Sequence, residues 1–220
     1  MNNKNIITID GPSASGKGSL AKALAKHLNF ILLDSGLLYR AYSFCFAKTE
    51  SHVEAIKFFS KLNIDIIDHR MHIFENNIDI TSHLRKEEIA KSASKLSSLK
   101  ETRDNLISFQ RNLATDNGLV ADGRDMGTVV FPNAATKIFL IANVEVRANR
   151  RFLELQNSGQ EVNMRHLIED IRSRDKADKA RKLSPLRPAQ DSIEVDSSNL
   201  NPHEVLEIVL KIYKKNIREF

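Results

Sequence analysis

Nine residues near the start of the chain, Gly11, Pro12, Ser13, Ala14, Ser15, Gly16, Lys17, Gly18 and Ser19, combine the types needed to hold a polyphosphate. Glycines at 11 and 16 let backbone approach an anion with no Cβ in the way. The N–H groups of such a loop, and the N-terminus of a following helix, point at one negative charge. Lys17 adds a point charge able to reach between a β- and a γ-phosphate. The flanks agree: Ile6-Ile7-Thr8-Ile9 precedes the loop, and Leu20, Ala21, Leu24 and Leu28 follow it at helical spacing. Strand, loop and helix in that order predict a nucleoside triphosphate site. A glycine-rich turn with no ligand is the competing reading.

Three further clusters could meet an anionic partner. Asp34-Ser35-Gly36 ends a second apolar run, with Tyr39 and Arg40 one helical turn on. Open α/β sheets bind ligands outside such strand ends, so Arg40 is a candidate for an acceptor phosphate; an ordinary surface arginine stays equally open. Asp122-Gly123-Arg124-Asp125-Met126-Gly127 has two glycines, three charges and no apolar period, which suits a ligand loop. There Arg124 can clamp a phosphate and Asp125 can only accept hydrogen bonds; a charge-paired turn is the alternative. Arg174, Asp178 and Arg181, spaced i, i+4, i+7, share one helix face among Arg172, Lys176, Lys179 and Lys182. That face is either a wall of cations closing over phosphates or a solvated helix laced with ion pairs. Arg147, Arg150 and Arg151 form a similar set one helix earlier. His69 and His72 flank a turn with no third ligand nearby and are expected on the surface rather than on a metal. Ser13, Ser15 and Ser19 lack a His/Asp partner pattern, which argues against a nucleophilic serine.

The elements that would carry these groups are readable from apolar spacing. Strands are predicted at Ile6 to Ile9, Ile31 to Asp34, Gly118 to Asp122, Thr136 to Ile141 and Asp191 to Asp196. Helices are predicted through Ala47, at His52 to Leu62, Glu87 to Leu99, Thr102 to Thr115, Val144 to Lys182 with a break at Asn157-Ser158-Gly159, and Pro202 to Ile217. Alternating strands and helices imply a parallel, doubly wound five-stranded sheet. Between them Ile64 to Ile67, Met71 to Phe74 and Ile78 to Ile80 alternate in short runs parted by Asp68-His69-Arg70 and Glu75-Asn76-Asn77. This reads as a small antiparallel sheet in an inserted subdomain.

Composition narrows the class. The 220 residues suit one α/β domain, and no apolar run approaches a membrane span. The start of the chain carries no apolar leader, and the lone Cys45, in an apolar helical stretch, reads as a buried thiol in a reducing compartment. A cytoplasmic protein is expected. Net charge is +5, with a pI near 9.3. With no long basic block, a pocket gathering phosphates is favoured over nucleic-acid binding. No exposed apolar stripe is evident, so a monomer is expected.

The Gly-Lys-Gly-Ser order, with Gly18 where Ser or Thr usually follows the lysine, resembles nucleoside monophosphate kinases more than GTPases. Over essentially its whole length the chain resembles bacterial cytidylate kinases. Ile-Thr-Ile-Asp-Gly-Pro-Ser from 7, Leu-Asp-Ser-Gly from 33 with Tyr39-Arg40, and Ala-Asp-Gly-Arg-Asp-Met-Gly-Thr-Val-Val-Phe-Pro from 121 carry the likeness. So do Arg174-Asp175, Asp178, Arg181 and Pro185-Leu186. The resemblance implies a P-loop kinase fold: a core at 1–34 and 105–220, an acceptor-binding insert at about 35–104, and a short lid at about 155–170. It implies cytosine contacts from Ser94, Arg103 and Asp125, ribose contacts from Asp178 and Arg174, and acceptor-phosphate contacts from Ser35, Arg40, Arg124 and Arg181, with Tyr39 in the same site. An N4 amino donor suits Asp125, whereas uracil would set a carbonyl against that carboxylate.

The implied reaction moves the ATP γ-phosphoryl group to CMP, and to dCMP. Lys17, Arg124, Arg174 and Arg181 would carry it, and Mg²⁺ would sit near Ser19 and Asp34 or Asp122, directly or through water. A phosphate oxygen is already ionised at neutral pH, so no general base is needed. A kinase for another nucleotide stays possible. A GTPase-like switch would need an Asn-Lys-x-Asp motif, which is absent, and a nucleic-acid module would need one open basic face.

Overall fold

A computed structural model describes residues 3–157 and 159–219. After a short 3₁₀ turn (Asn3–Asn5), β1 (Ile6–Asp10) is buried at every position. Its neighbours alternate by face, as a strand demands. Ile6 packs into one core, while Ile7 and Ile9 pack into the other. The glycine-rich loop from Gly11 to Gly16 follows, then α1 (Lys17–Leu28) and β2 (Ile31–Asp34). Two helices come next, α2 (Ser35–Thr49) and α3 (His52–Phe59).

The chain then departs from the strand-helix rhythm. β3 (Asn63–Ile67), β4 (Arg70–Glu75) and β5 (Ile78–Asp79) form an antiparallel sheet in that order. Asp68-His69 and Asn76-Asn77 connect them with positive φ at all four residues (49°, 60°, 50° and 65°). Consecutive left-handed pairs are what the right-handed twist of a tight hairpin favours, and Asn and Asp tolerate them best. Three helices follow: α4 (Thr81–Leu84), α5 (Glu87–Leu96) and α6 (Lys100–Asn112). The chain re-enters the main sheet with β6 (Leu119–Gly123), a π-helical turn (Met126–Val130) and β7 (Thr136–Ile141). It ends with α7 (Val144–Asn157), α8 (Met164–Ala180), β8 (Ile193–Asp196) and α9 (Pro202–Glu219).

The main sheet is five-stranded and parallel throughout, in the order β2-β6-β1-β7-β8. Connections from β1 lead first to one side and later to the other, so the strand order reverses around β1. The crevice at the carboxyl end of such a reversal is where open sheets bind ligands. One face is covered by α1 and α9 through Leu20, Leu24, Val205 and Val209. The other is covered by α2, α6 and the inserted elements through Leu37, Leu38, Tyr42 and Leu106.

Five parallel strands and the small antiparallel sheet agree with the sequence reading. Several details differ. The helix expected over Thr102 to Thr115 begins at Lys100 and stops at Asn112, and the one expected from Glu87 to Leu99 ends at Leu96. The short α4 and the π-helical turn were not anticipated. Their apolar spacing is too short to show a period. The interruption expected at 157–159 extends to Asn163, which caps α8 by accepting from Arg165 and His166; Ser158 lies outside the described residues. His69 and His72 are half-buried rather than free on the surface: His69 meets the Phe30 carbonyl at 3.3 Å and His72 pairs with Asp79 at 2.8 Å. Cys45 is buried as expected, which pushes its thiol up to about 12. No helix among the described residues is long and apolar enough to cross a membrane.

Candidate active site

The loop Gly11–Ser19 leaves β1 at the carboxyl edge of the sheet. Gly16 caps α1 in a left-handed conformation (φ 93°) and Ala14 shares it (φ 58°), which turns successive N–H groups to one side. Lys17 opens the helix. Its Nζ is buried and donates to the Pro12 carbonyl at 2.9 Å, so it lies folded over the loop. Burial pushes this ammonium well below the ordinary lysine range, helped by the positive charge of Arg124 and opposed by Asp122. An anion in the loop would restore that charge. A cavity of about 770 Å³ opens here, lined by the loop from Ala14 to Ser19, with Asp34, Asp122 and Arg150 among its walls.

The two acids expected near a metal behave differently. Asp34 accepts from the Leu37 amide at 2.9 Å as the N-cap of α2 and pairs with Arg85 at 3.0 Å. Asp122, its register partner on β6, keeps a buried Oδ1 with no hydrogen-bond donor. Gly18 backs onto the other oxygen of Asp122. Burial pushes the Asp122 carboxyl up, against the pull of Lys17. A buried carboxylate oxygen without a donor is costly unless a cation completes it. Ser19 is exposed on the same cavity wall. No three His, Cys, Asp or Glu among the described residues form a protein-only metal cage. Mg²⁺ held with phosphates needs only one or two carboxylates, so the set fits that ion.

Beside this lies a second cluster built from α2, the end of α8 and the segment after β6. Ser35 opens α2 with its hydroxyl against Gly123. Asp178 is buried at 3% side-chain exposure and gathers two arginines: Arg124 Nε at 3.0 Å and Arg181 Nη2 at 2.5 Å. Arg174, one turn before Asp178, is half-buried with an Nε that has no acceptor. Burial and the neighbouring Arg124 both lower its affinity for its proton. Arg40 lies half-buried on α2 and donates to the Leu84 carbonyl at 3.3 Å. Arg124, Arg174, Asp122 and Asp178 all act on Lys17 electrostatically, which joins this cluster to the loop.

The groups expected around a base form one chain. Asp125 is buried and paired with Arg103, whose guanidinium lies over the Tyr39 ring at 5.8 Å from its centroid. Arg103 also donates to the Ser97 carbonyl at 3.1 Å, and the Ser97 hydroxyl donates to the Ser94 carbonyl at 2.9 Å. Ser94 thus joins the cluster through its backbone, with its hydroxyl on half-buried α5. Arg174 and Asp178 are drawn inward on α8. Arg181 joins them from just past the end of the helix, on extended backbone and not from the helix face that its spacing suggested. Arg172, Lys176 and Lys179 on α8, and Lys182 beyond it, stay exposed. The inner residues thus form the arginine–aspartate cluster, and of the outer cations Arg172 pairs with Glu145 at 3.3 Å.

Arg147, Arg150 and Arg151 do not form the second wall of cations that their spacing suggested. Arg147 spends its guanidinium on Asp175, at 2.5 Å and 3.0 Å, and on the Ser13 carbonyl at 3.1 Å. Arg150 holds the Ser15 carbonyl at 3.0 Å together with Ser197. Arg151 pairs with Glu87 and Glu154. The first two brace the outer side of the loop. Spacing cannot reveal a backbone acceptor that is distant in sequence.

Known proteins resemble this chain over nearly its whole length. The sequence pattern of the cytidylate kinase family, described as "Cytidylate kinase", matches residues 7–215. A cytidylate kinase of Pasteurella multocida is 40% identical over 99% of this chain and 98% of its own. One from Pseudomonas fluorescens is 44% identical over 93% of each. A crystal structure of an uncharacterized protein from Eubacterium ventriosum aligns over 96% of this chain and 99% of its own, with a TM-score of 0.54 and 14% identity, a likeness of fold alone.

Proposed function

The chain belongs to the cytidylate kinase family, and on that premise we propose that it transfers the γ-phosphoryl group of ATP to CMP, giving ADP and CDP, with dCMP as a second acceptor. One observation carries the reading. An anion loop with a buried lysine and an arginine cluster organised by Asp178 stand side by side at the reversal point of a parallel sheet. A single-phosphate or nucleic-acid site would not need both.

An oxygen of the acceptor phosphate attacks the γ-phosphorus, and the bond to the β–γ bridging oxygen breaks toward ADP. The attacking oxygen is ionised at neutral pH, so no side chain has to remove a proton. The chain supplies position and charge. Lys17 and the loop amides hold the β- and γ-phosphates. Ser35, Arg40, Arg124 and Arg181 hold the acceptor phosphate, Asp178 and Arg174 the ribose, and Arg103, Asp125 and Ser94 the cytosine against Tyr39. Asp122, with Ser19 and through water Asp34, would hold Mg²⁺. That ion supplies charge neutralisation across the phosphate oxygens.

We read residues 1–34 and 105–220 as the catalytic core, about 35–104 as the acceptor-binding insert and about 155–170 as the lid, in a monomer working in the cytoplasm. The insertion of β3 to β5 between helices, and the free buried Cys45, support this. The test is ADP production from ATP and Mg²⁺ with CMP, dCMP, UMP, AMP or GMP offered separately. Fast turnover confined to CMP and dCMP is expected. Turnover with a different monophosphate instead would overturn the base assignment.

A further inference from the structure

Asp10 ends β1 one residue before the phosphate loop, and nothing in the proposed transfer uses it. Its residue is only 4% exposed, and its nearest acidic neighbours, Asp125 and Asp122, both discourage its charge. Burial pushes the carboxyl up to about 7, against the opposing effect of its hydrogen bonds. A carboxylate kept where charge is so unfavourable needs a reason.

The reason lies in its two contacts. Oδ1 accepts from the Met126 amide and Oδ2 from the Gly127 amide, each at 2.8 Å. Those amides open the π-helical turn directly after Arg124 and Asp125. The first N–H groups of any helical turn lack partners of their own, and the side chain before this turn, Asp125, caps none of them. Asp10 is therefore the cap, supplied from another strand. Two donors on two oxygens fix the turn in rotation as well as position. The far end of the turn is held separately, where Arg111 donates to the Val129 and Val130 carbonyls at 3.0 Å and 2.9 Å. The end that presents Arg124 and Asp125 carries the two bonds to Asp10, beside those that the Val129 and Val130 amides donate to the Asp125 carbonyl at 2.9 Å and 3.2 Å.

We propose that Asp10 is a positioning residue for the acceptor nucleotide: its carboxylate clamps the Met126 and Gly127 amides and so aims Arg124 at the acceptor phosphate and Asp125 at the base. The inference rests on the proposed transfer to CMP. It gives both half-sites one ruler, because the strand that ends in Asp10 continues into the donor loop.

Two variants test it. Asp10→Asn keeps shape but turns an amide nitrogen toward a backbone N–H that needs an acceptor. Gly127→Ala leaves Asp10 intact and pushes the turn instead, since its Cβ would stand 2.9 Å from Thr8 Oγ1 and 3.4 Å from Asp10 Oδ2. Initial rates with CMP, UMP and ATP varied in turn, beside thermal midpoints, read the outcome. For both variants kcat/KM for CMP is expected to fall on the order of 10- to 100-fold and the preference over UMP to shrink, with KM for ATP moving less than about twofold. A lower midpoint with CMP kinetics and base preference intact would reduce Asp10 to a structural staple and overturn the proposal, as would equal losses for ATP and CMP. If Asp10→Asn does not fold, Gly127→Ala is judged by the same criteria. Wild-type protein that fails to turn over CMP sinks the proposed function and this inference with it; an active wild type with unaffected variants sinks the inference alone.

Discussion

Asp178 shows how one side chain can organise a cationic site. Its two oxygens hold Arg124 and Arg181 apart and aimed, so neither guanidinium has to find its rotamer when a phosphate arrives. Such pre-organised donors matter most where charge develops in the transition state. Arg181→Ala is accordingly expected to lower kcat by about 100-fold or more, with a smaller change in KM for CMP. Arg181→Lys should recover little, because a lysine keeps the charge but loses the planar fork. Steady-state rates with CMP varied decide it, and an unchanged kcat would remove Arg181 from the reaction. Asp125 is the corresponding test for base choice. As an ionised carboxylate it can only accept, which suits the cytosine amino group. Asp125→Asn offers an amide that can also donate to a carbonyl. The ratio of kcat/KM for CMP over UMP is expected to fall by about tenfold or more. A ratio that stays put would assign base reading to other groups.

At the scale of elements, β1 has to bind and to be buried at once, and Asp10 is where these demands meet. Its carboxyl titrates near 3.8 in an unfolded chain and at about 7 in the fold. Between those values the folded state binds the extra proton. Stability from this group is therefore greatest below about pH 4 and declines as pH rises to about 7, by on the order of 4 kcal/mol at most. Asp10→Asn should flatten the plot of thermal midpoint against pH over that window, and parallel wild-type and variant plots would show that Asp10 does not titrate there. The strands were legible in the sequence because a buried parallel strand is a bare apolar run, as in Ile31-Leu32-Leu33 and Thr136 to Ile141. Their order was not legible, because β2 reaches β1 only through β6, and that pairing closes over more than eighty residues. The loop, Arg124, Asp125 and the inner face of α8 were legible because charge without apolar period stands out. Asp10 was not, because one acid at the end of a strand looks like any strand terminus until the amides it caps are in place.

Across the whole molecule the cations that a transferring phosphate needs are present but not yet gathered at one point. Lys17 donates to Pro12, Arg40 to Leu84, and Arg124 and Arg181 to Asp178. These segments belong to the loop, the inserted region, the end of β6 and α8, and Arg151 pairing with Glu87 bridges α7 to α5 across them. ATP alone offers no acceptor phosphate to draw Arg40 from the Leu84 carbonyl, or to bring Arg124 and Arg181, still paired with Asp178, against the γ-phosphate. Water reaching the γ-phosphorus in that state would meet an incompletely neutralised group. Binding of the acceptor gathers those cations around the transferring group, completes the constellation and displaces water together. ADP release from ATP and Mg²⁺ without CMP is therefore expected to run at least about 100-fold slower than the CMP-dependent reaction, the usual cost of withholding one transition-state donor or more. Adding inorganic phosphate in place of CMP should not restore the rate, because the inserted region would still lack the base and ribose that hold it closed. Comparable rates with and without CMP would mean that the cations already surround the γ-phosphate before the acceptor binds.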